Sequence, residues 1–155
     1  MKLRVVALGH RMPAWVTAGW DDYARRMPPD FALELVELKP EPRDRGKTVP
    51  QMLAAEAVRI TAACKGARTV ALDEQGQPWT TRRLAETLST WRDEARDTAF
   101  VIGSADGLAE SVKRDAHAIV ALSALTLPHG LVRVLVAEQL YRAASLLSGH
   151  PYHRE

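Results

Sequence analysis

The sequence lacks the features that mark disulfide-bonded, secreted and membrane proteins. Cys64 is the only cysteine in 155 residues, so neither an internal disulfide nor a cysteine-rich zinc site can form. No apolar run approaches the ~20 residues that a membrane-spanning helix needs. The short apolar run Leu3–Leu8 indicates a first β-strand rather than a signal peptide. These absences favour a cytoplasmic protein that has no membrane contact.

Strong charge and the common nucleotide motifs are also missing. The net charge is +2, so an RNA partner would require a local basic patch. Neither G-x-G-x-x-G nor G-x-x-x-x-G-K-[ST] occurs, which argues against a dinucleotide site and a phosphate-cradling NTPase loop. The absence of G-x-S-x-G argues against the serine-nucleophile site of α/β-hydrolases. His150 and His153 could share a metal, but no second ligand pair is evident, so no metal is expected.

Apolar runs of strand length alternate with segments of helical periodicity. Together with a hydrophobic content of 46%, this pattern predicts one globular domain over residues 1–155. It predicts an α/β fold with a mainly parallel sheet and helices on both faces. The predicted strands are Leu3–Leu8, Phe31–Leu38, Thr69–Leu72, Ala99–Ile102 and Ala118–Leu122.

The last predicted helix begins near Pro128 and ends at Gly149, as the preferences of proline and glycine indicate. Apolar residues surround most of it, so it must be covered on more than one side. A second subunit would cover it, and burial within one subunit is the alternative. The apolar residues are Leu131, Val132, Val134, Leu135, Val136, Ala137 and Leu140.

Ligands of open parallel sheets bind beyond the carboxyl ends of the strands. Three segments leave such ends here: Leu72–Pro78, Gly103–Gly107 and Leu122–Pro128. The glycines of the second segment would allow close approach to a ligand, or they would serve an ordinary turn. Asp73 and Glu74 are candidates for a general base or for a turn cap.

Several motifs in the second half of the chain together resemble one known family, the ribosomal RNA large subunit methyltransferase H family. They are Leu122–His129 (LSALTLPH), Leu131–Leu135 (LVRVL), Glu138–Ala143 (EQLYRA) and His150–Arg154 (HPYHR). The likeness extends to Met1–Leu3, Gly46–Lys47 and Leu72–Trp79.

This resemblance implies a SPOUT-type α/β fold with a C-terminal trefoil knot. It implies a homodimer that uses S-adenosylmethionine to methylate N3 of a pseudouridine in 23S rRNA within the 70S ribosome. By resemblance, the methyl-donor site comprises Leu72, Gly103, Leu122, Ser123, Ala124, Leu125, Thr126 and Leu127. The reaction side comprises His129, Tyr152, His153 and Arg154, with the tail of one subunit completing the site of the other. The chain departs from the family at Gly103–Gly107, which reads Gly-Ser-Ala-Asp-Gly where the family usually has Gly-Gly-Pro-Glu-Gly.

The residue types in the tail indicate roles for the individual side chains. Arg154 would stabilise negative charge on the base, and Tyr152 would stack on it or orient it. Either His129 or His153 would help to remove the N3 proton. Glu138 and Arg142 form a surface ion pair, or they orient the tail or substrate.

The loop Lys39–Lys47, with Arg25 and Arg26, is either an rRNA phosphate contact or a solvated loop. Two alternatives to the implied activity stay open. One is a non-catalytic ribosome-binding or assembly module, and the other is a methyltransferase that acts on a different nucleotide.

Overall fold

The computed structural model describes residues 1–43 and 46–152. Strands and helices alternate along this part of the chain, and a short 3-10 turn (Pro29–Phe31) precedes the second strand. The elements are β1 (Lys2–Leu8), α1 (Ala14–Ala24), β2 (Ala32–Leu38), α2 (Val49–Ala63), β3 (Arg68–Pro78), α3 (Thr81–Asp93), β4 (Thr98–Ile102), α4 (Glu110–Asp115), β5 (Ala118–Ala121) and α5 (His129–Ser148).

The strands form one sheet in the order β2-β1-β4-β3-β5, and every neighbouring pair is parallel. Strand β4 is buried throughout and β1 is buried from Val5 to Leu8, because both faces of the sheet are covered there. Helices α1, α3 and α5 pack on one face, and α2 and α4 pack on the other. The predicted α/β fold with helices on both faces is therefore confirmed, while the trefoil knot stays a prediction.

Local signals fix one end each of two helices, and the sequence predicts both, because Thr48 with Gln51 three residues on resembles a capping box and Gly149 is a typical helix end. At the start of α2, Thr48 and Gln51 form a reciprocal capping box, with the Thr48 hydroxyl accepting from the Gln51 N–H. At the end of α5, Gly149 adopts a left-handed conformation with φ of 71°. The capping residues thus determine where these helices begin and end.

The prediction that the third strand ends at Leu72 and is followed by a loop to Pro78 is wrong in part, because β3 continues to Pro78. Both Leu72 and Gln77 align with Val120 of β5, so the residues between them bulge out of the ladder. Gly76 permits this arrangement, since a Cβ there would lie 2.7 Å from the Ile119 carbonyl carbon. The sequence Gln-Gly-Gln-Pro resembles a turn, whereas the structure uses it to rejoin β5.

Helix α5 receives most of its cover from its own chain. Helices α1 and α3 flank it, and its residues Val136, Ala137 and Leu140 are buried against the sheet. Val134 packs where Gly19 of α1 has no side chain. The alternative of burial within one subunit therefore accounts for much of this apolar helix, although Leu131, Val132 and Leu135 stay partly exposed. Among the residues described, no helix is both long and apolar enough to span a membrane.

Candidate active site

The three strand-end segments identified in the sequence meet around one cleft. It encloses about 400 Å³ at the bulge of β3 after Leu72 and beyond the carboxyl ends of β4 and β5. Its walls are residues 72–75, 102–108, 122–123 and 125–127, with Lys113, His129 and Val132 completing the lining. The parallel topology brings these segments together, because neighbouring parallel strands end at the same edge of a sheet.

The residues predicted for the donor site line this cleft, except for Ala124. They are Leu72, Gly103, Leu122, Ser123, Leu125, Thr126 and Leu127. Leu122 and Leu125 are 38% and 73% exposed, respectively, although leucine side chains are normally buried. The cleft thus presents apolar side chains that a bound ligand would cover.

Hydrogen bonds and an ion pair fix two walls of the cleft. The Thr126 hydroxyl donates to Glu74 Oε2 at 2.9 Å, which links the segment after β5 to the bulge of β3. Asp73 pairs with Lys113 at 3.1 Å. The carboxylates of Glu110 and Asp73 raise the pKa of the Lys113 ammonium. Asp73 also accepts from the Gln75 N–H at 3.3 Å, as its alternative role of capping a turn requires.

The loop after β4 passes close to itself. A Cβ on Gly103 would lie 2.5 Å from the Gly107 carbonyl oxygen, a distance that no side chain can tolerate. The Gly107 N–H donates to the Ser104 carbonyl at 2.9 Å and closes the turn. Gly103 is required here because the backbone of Gly107 approaches it closely. This agrees with both roles predicted for the glycines, close approach to a ligand and an ordinary turn.

His129 and Tyr152, predicted to share the reaction side, do not meet within one chain. His129 begins α5 and lines the cleft. The Tyr152 hydroxyl donates instead to Glu138 Oε1 at 2.9 Å. Nine residues separate Glu138 from His129, which is about 14 Å along a helix. His153 and Arg154 lie outside the described residues.

Tyr152 is held by a cluster of side chains on α5. Its ring packs edge-on against Tyr141, with centroids 4.7 Å apart, and the Arg142 guanidinium lies 5.0 Å from its centroid. Glu138 binds both Tyr152 and Arg142, so the predicted ion pair exists and also orients the tail. Burial, followed by the hydrogen bonds with Tyr23 and Glu138, raises the pKa of Tyr152 well above its usual value. The side chain is therefore a phenol, which donates a hydrogen bond.

Two basic side chains of the predicted basic loop, Arg43 and Lys47, are engaged within the protein. Lys47 and Arg59 both bind the buried carboxylate of Glu41, and they lower its pKa. Arg43 binds Asp106 at 2.8 Å and Glu56 at 3.2 Å. Arg43 is thus part of the fold, and the prediction that it is an rRNA phosphate contact has no support in this geometry.

The other basic residues of the proposed rRNA contact are Arg25, Arg26 and Arg45. Arg25 and Arg26 both pair with Asp22 on the surface of α1. Arg45 lies outside the described residues.

The sequence interpretation misses Glu56, although the sequence contains a signal for it. Glu56 lies four residues from both Met52 and Ile60, on the buried face of α2.

Comparison with known proteins agrees with the fold. A family model described as "Predicted SPOUT methyltransferase" matches residues 1–153. The proteins named ribosomal RNA large subunit methyltransferase H from Burkholderia mallei (strain SAVP1) and Burkholderia pseudomallei (strain 668) are both 56% identical to this chain. Each alignment spans 155 residues and covers 99% of both proteins.

Solved structures show the same fold at low sequence identity. A probable methyltransferase from Bordetella pertussis Tohama I has a TM-score of 0.61 at 20% identity, with 92% of this chain and 93% of that chain covered. A probable methylase family protein from Haemophilus influenzae Rd KW20 has a TM-score of 0.58 at 15% identity, with 99% and 70% covered. The family model and the close relatives together show that this chain belongs to the SPOUT methyltransferases, and within them to the ribosomal RNA large subunit methyltransferase H family.

Proposed function

We propose that this protein transfers a methyl group from S-adenosylmethionine to N3 of a pseudouridine in the 23S rRNA of the assembled ribosome. The observation that carries the proposal is the cleft at the bulge of β3 and the ends of β4 and β5, where the residues expected to bind the donor converge. The names of the close relatives support rRNA of the large subunit as the substrate. The cytoplasm, where ribosomes are assembled, is the corresponding location.

The lining of the cleft fits the chemistry of this donor. Its volume of about 400 Å³ lies within the range of small-molecule sites. Leu122 and Leu125 offer apolar cover for an adenine ring. Asp106 and Glu74 offer acceptors for ribose hydroxyls or an ammonium group, and the walls also present backbone groups. When bound, the donor supplies an electrophilic methyl group on a sulfonium.

The reaction requires alignment and the removal of one proton. The N3–CH3 bond forms as the S–CH3 bond breaks, and the sulfonium becomes a neutral thioether. Holding both reactants in line supplies much of the acceleration. We propose His129, which lines the cleft, as the group that accepts the N3 proton, directly or through water, with His153 as the alternative.

The tail residues would act from a second subunit. Tyr152 binds Glu138 rather than lying near His129, so one chain alone does not bring these two predicted residues together. In a homodimer the tail of one subunit would enter the cleft of the other. Tyr152 would then orient the base as a hydrogen-bond donor, and Arg154 would stabilise negative charge on it.

The test is methyl transfer from labelled S-adenosylmethionine to 70S ribosomes isolated from cells that lack this protein. The modified nucleotide is identified by mass spectrometry. We expect label at N3 of a pseudouridine in 23S rRNA. Label on another nucleotide would replace the proposed target while keeping the activity. Donor binding without any transfer, or no donor binding at all, would favour a non-catalytic ribosome-binding or assembly module.

A further inference from the structure

A buried carboxylate lies behind the loop that forms one wall of the cleft. Glu56 of α2 is 2% exposed, although the burial of a charged group is costly unless it is paired and hydrogen-bonded. Its oxygens accept from the Glu41 N–H at 2.9 Å, from the Ser104 hydroxyl at 3.0 Å and from Arg43 Nη1 at 3.2 Å. Glu56 therefore joins the segment before α2 to the loop after β4.

Arg43 forms the other half of this connection. Its Nε donates to Asp106 Oδ2 at 2.8 Å, and its Nη2 donates to the Ser104 hydroxyl oxygen at 2.7 Å. Its Nη1 also donates to the Glu41 carbonyl at 2.8 Å. A planar guanidinium can serve three directions at once, which an ammonium group cannot do with the same geometry. We name Arg43, Glu56, Ser104 and Asp106 the loop clamp.

The loop clamp binds the loop at two side chains, Ser104 and Asp106. The loop reads Gly103-Ser104-Ala105-Asp106-Gly107 and contains no proline. Proline restricts the backbone by fixing φ, and this loop lacks that restriction. Ser104 and Asp106 supply side chains that Arg43 can bind. Hydrogen bonds from outside the loop therefore restrict its backbone in place of a proline within it.

We propose that Arg43, fixed by buried Glu56, is a positioning residue that holds loop 104–107 in the shape needed to bind the methyl donor. Ser104, Ala105, Asp106 and Gly107 all line the cleft, whereas Arg43 does not. Arg43 therefore acts through the loop rather than by contact with the donor. The part of this inference that concerns the donor rests on the proposed function.

The variants Arg43→Ala and Ser104→Ala, alone and combined, test the loop clamp. Arg59→Ala is the matched control, because Arg59 binds the same neighbouring segment through Glu41 and the Lys39 carbonyl but does not contact loop 104–107. The measurements on full-length protein are hydrogen–deuterium exchange of the Gly103–Leu108 amides, calorimetric binding of S-adenosylmethionine, and steady-state methyl transfer to 70S ribosomes.

We expect Arg43→Ala to accelerate exchange in the loop and to raise the donor Kd about tenfold, which corresponds to ~1.4 kcal/mol. The KM for the donor should rise while the KM for ribosomes stays unchanged. Ser104→Ala should act in the same direction, and the double variant should show less than the sum of the two effects, as expected for groups in one network. Arg59→Ala should leave exchange in the loop unchanged.

The exchange measurement separates failure of this inference from failure of the proposed function. Unchanged exchange in Arg43→Ala, or equal acceleration in Arg59→Ala, would overturn the loop clamp whatever the protein binds. If the exchange result is as expected but the parent protein binds no S-adenosylmethionine, the positioning of the loop stands and the donor assignment fails. A normal donor Kd in an Arg43→Ala protein with a loosened loop would overturn the link between loop and donor.

Discussion

At the residue scale, single side chains decide whether the cleft keeps its shape and where protons reside. Gly103 is dictated by a backbone approach, and burial and hydrogen bonds raise the pKa of Tyr152 further above its usual value. His117 is one further residue with a shifted pKa. It lies just before β5 and next to two arginines.

Gly103→Ala should destabilise the protein by ~1–3 kcal/mol, because the new Cβ would force the Gly107 carbonyl away. Donor binding should weaken with it. Urea unfolding and calorimetry would measure the two effects. Gly130→Ala, in the first turn of α5, is the control, since its Cβ would make only ordinary contacts of 3.4 Å with Val16 of α1 and 3.5 Å with Met12. Equal stability of the two variants would contradict the structural reason given for Gly103.

His117 should make the protein less stable in acid. Burial, and then the charges of Arg96 and Arg68, lower the pKa of His117 in the folded protein. Its Nδ1 also accepts from the Thr69 N–H at 3.3 Å, which only the neutral ring can do. Because the folded pKa is depressed, this stability is fully present above the unfolded pKa of about 6.5 and is lost as the pH falls through the folded pKa.

The measurement is the free energy of unfolding between about pH 7 and about pH 5. His117→Gln should make its dependence on pH shallower, since glutamine does not titrate. The same change at His10 serves as the control; both histidines are exposed, so solvent should keep the effect of His117 small. An identical pH dependence in the parent protein and His117→Gln would remove this residue from the explanation.

At the element scale, a buried charge fastens helix α5 to the sheet. Arg133 is 1% exposed, its Nη1 pairs with Glu37 Oε2 at 2.6 Å, and its Nη2 donates to the Gly9 carbonyl at 2.8 Å. These contacts join the first turns of α5 to the ends of β1 and β2. Because His129 begins the same helix, Arg133 also fixes the position from which that imidazole enters the cleft.

Arg133→Ala should lower the free energy of unfolding by ~3 kcal/mol, because it removes packing and leaves a buried carbonyl without its partner. Glu37→Gln should cost less, since Glu37 is 42% exposed and the amide retains an acceptor. The control is Arg114→Ala, whose exposed pair with Asp115 is 3.7 Å long and should be worth under ~0.5 kcal/mol. Denaturant unfolding at fixed protein concentration compares them, and a small loss in Arg133→Ala would refute this role.

At the scale of the whole molecule, the cleft and the tail follow opposite ends of α5. The proposed dimer resolves this separation by letting each cleft receive the partner's tail. Two variants should then complement each other: His129→Ala, which keeps its tail, and a chain that ends at Pro151. Each alone should be inactive. A mixed dimer contains one complete site, so an equimolar mixture should recover about a quarter of the parent activity.

Methyl transfer to ribosomes before and after subunit exchange measures this recovery, and sedimentation confirms that mixed dimers form. If mixed dimers form without any recovery of activity, the tail does not act across the interface. If each variant alone retains activity, the assignment of His129 or of the tail is wrong.

Much of the fold follows from short-range physical signals in the sequence. Apolar runs of strand length predict the five strands. The second part of β3 is not predicted as strand, because the local sequence of a bulge resembles that of a turn. Thr48 and Gly149 predict helix ends because capping depends on nearby backbone groups. The donor segments follow from the rule that parallel strands end at one edge. The apolar circumference of the last helix also points to a second subunit, whereas the knot rests on resemblance alone.

The sequence by itself determined the class of fold, the cap residues and the segments that line the cleft, since each depends on local pattern or on likeness to relatives. Tertiary structure alone decided which distant groups meet. Arg43 reaches Ser104 and Asp106 across about 60 positions of chain, and no periodicity predicts such a contact. Tyr152 and His129 also lie apart for a tertiary reason. Helix α5 is rigid, and its length separates two residues that the resemblance assigns to one reaction side.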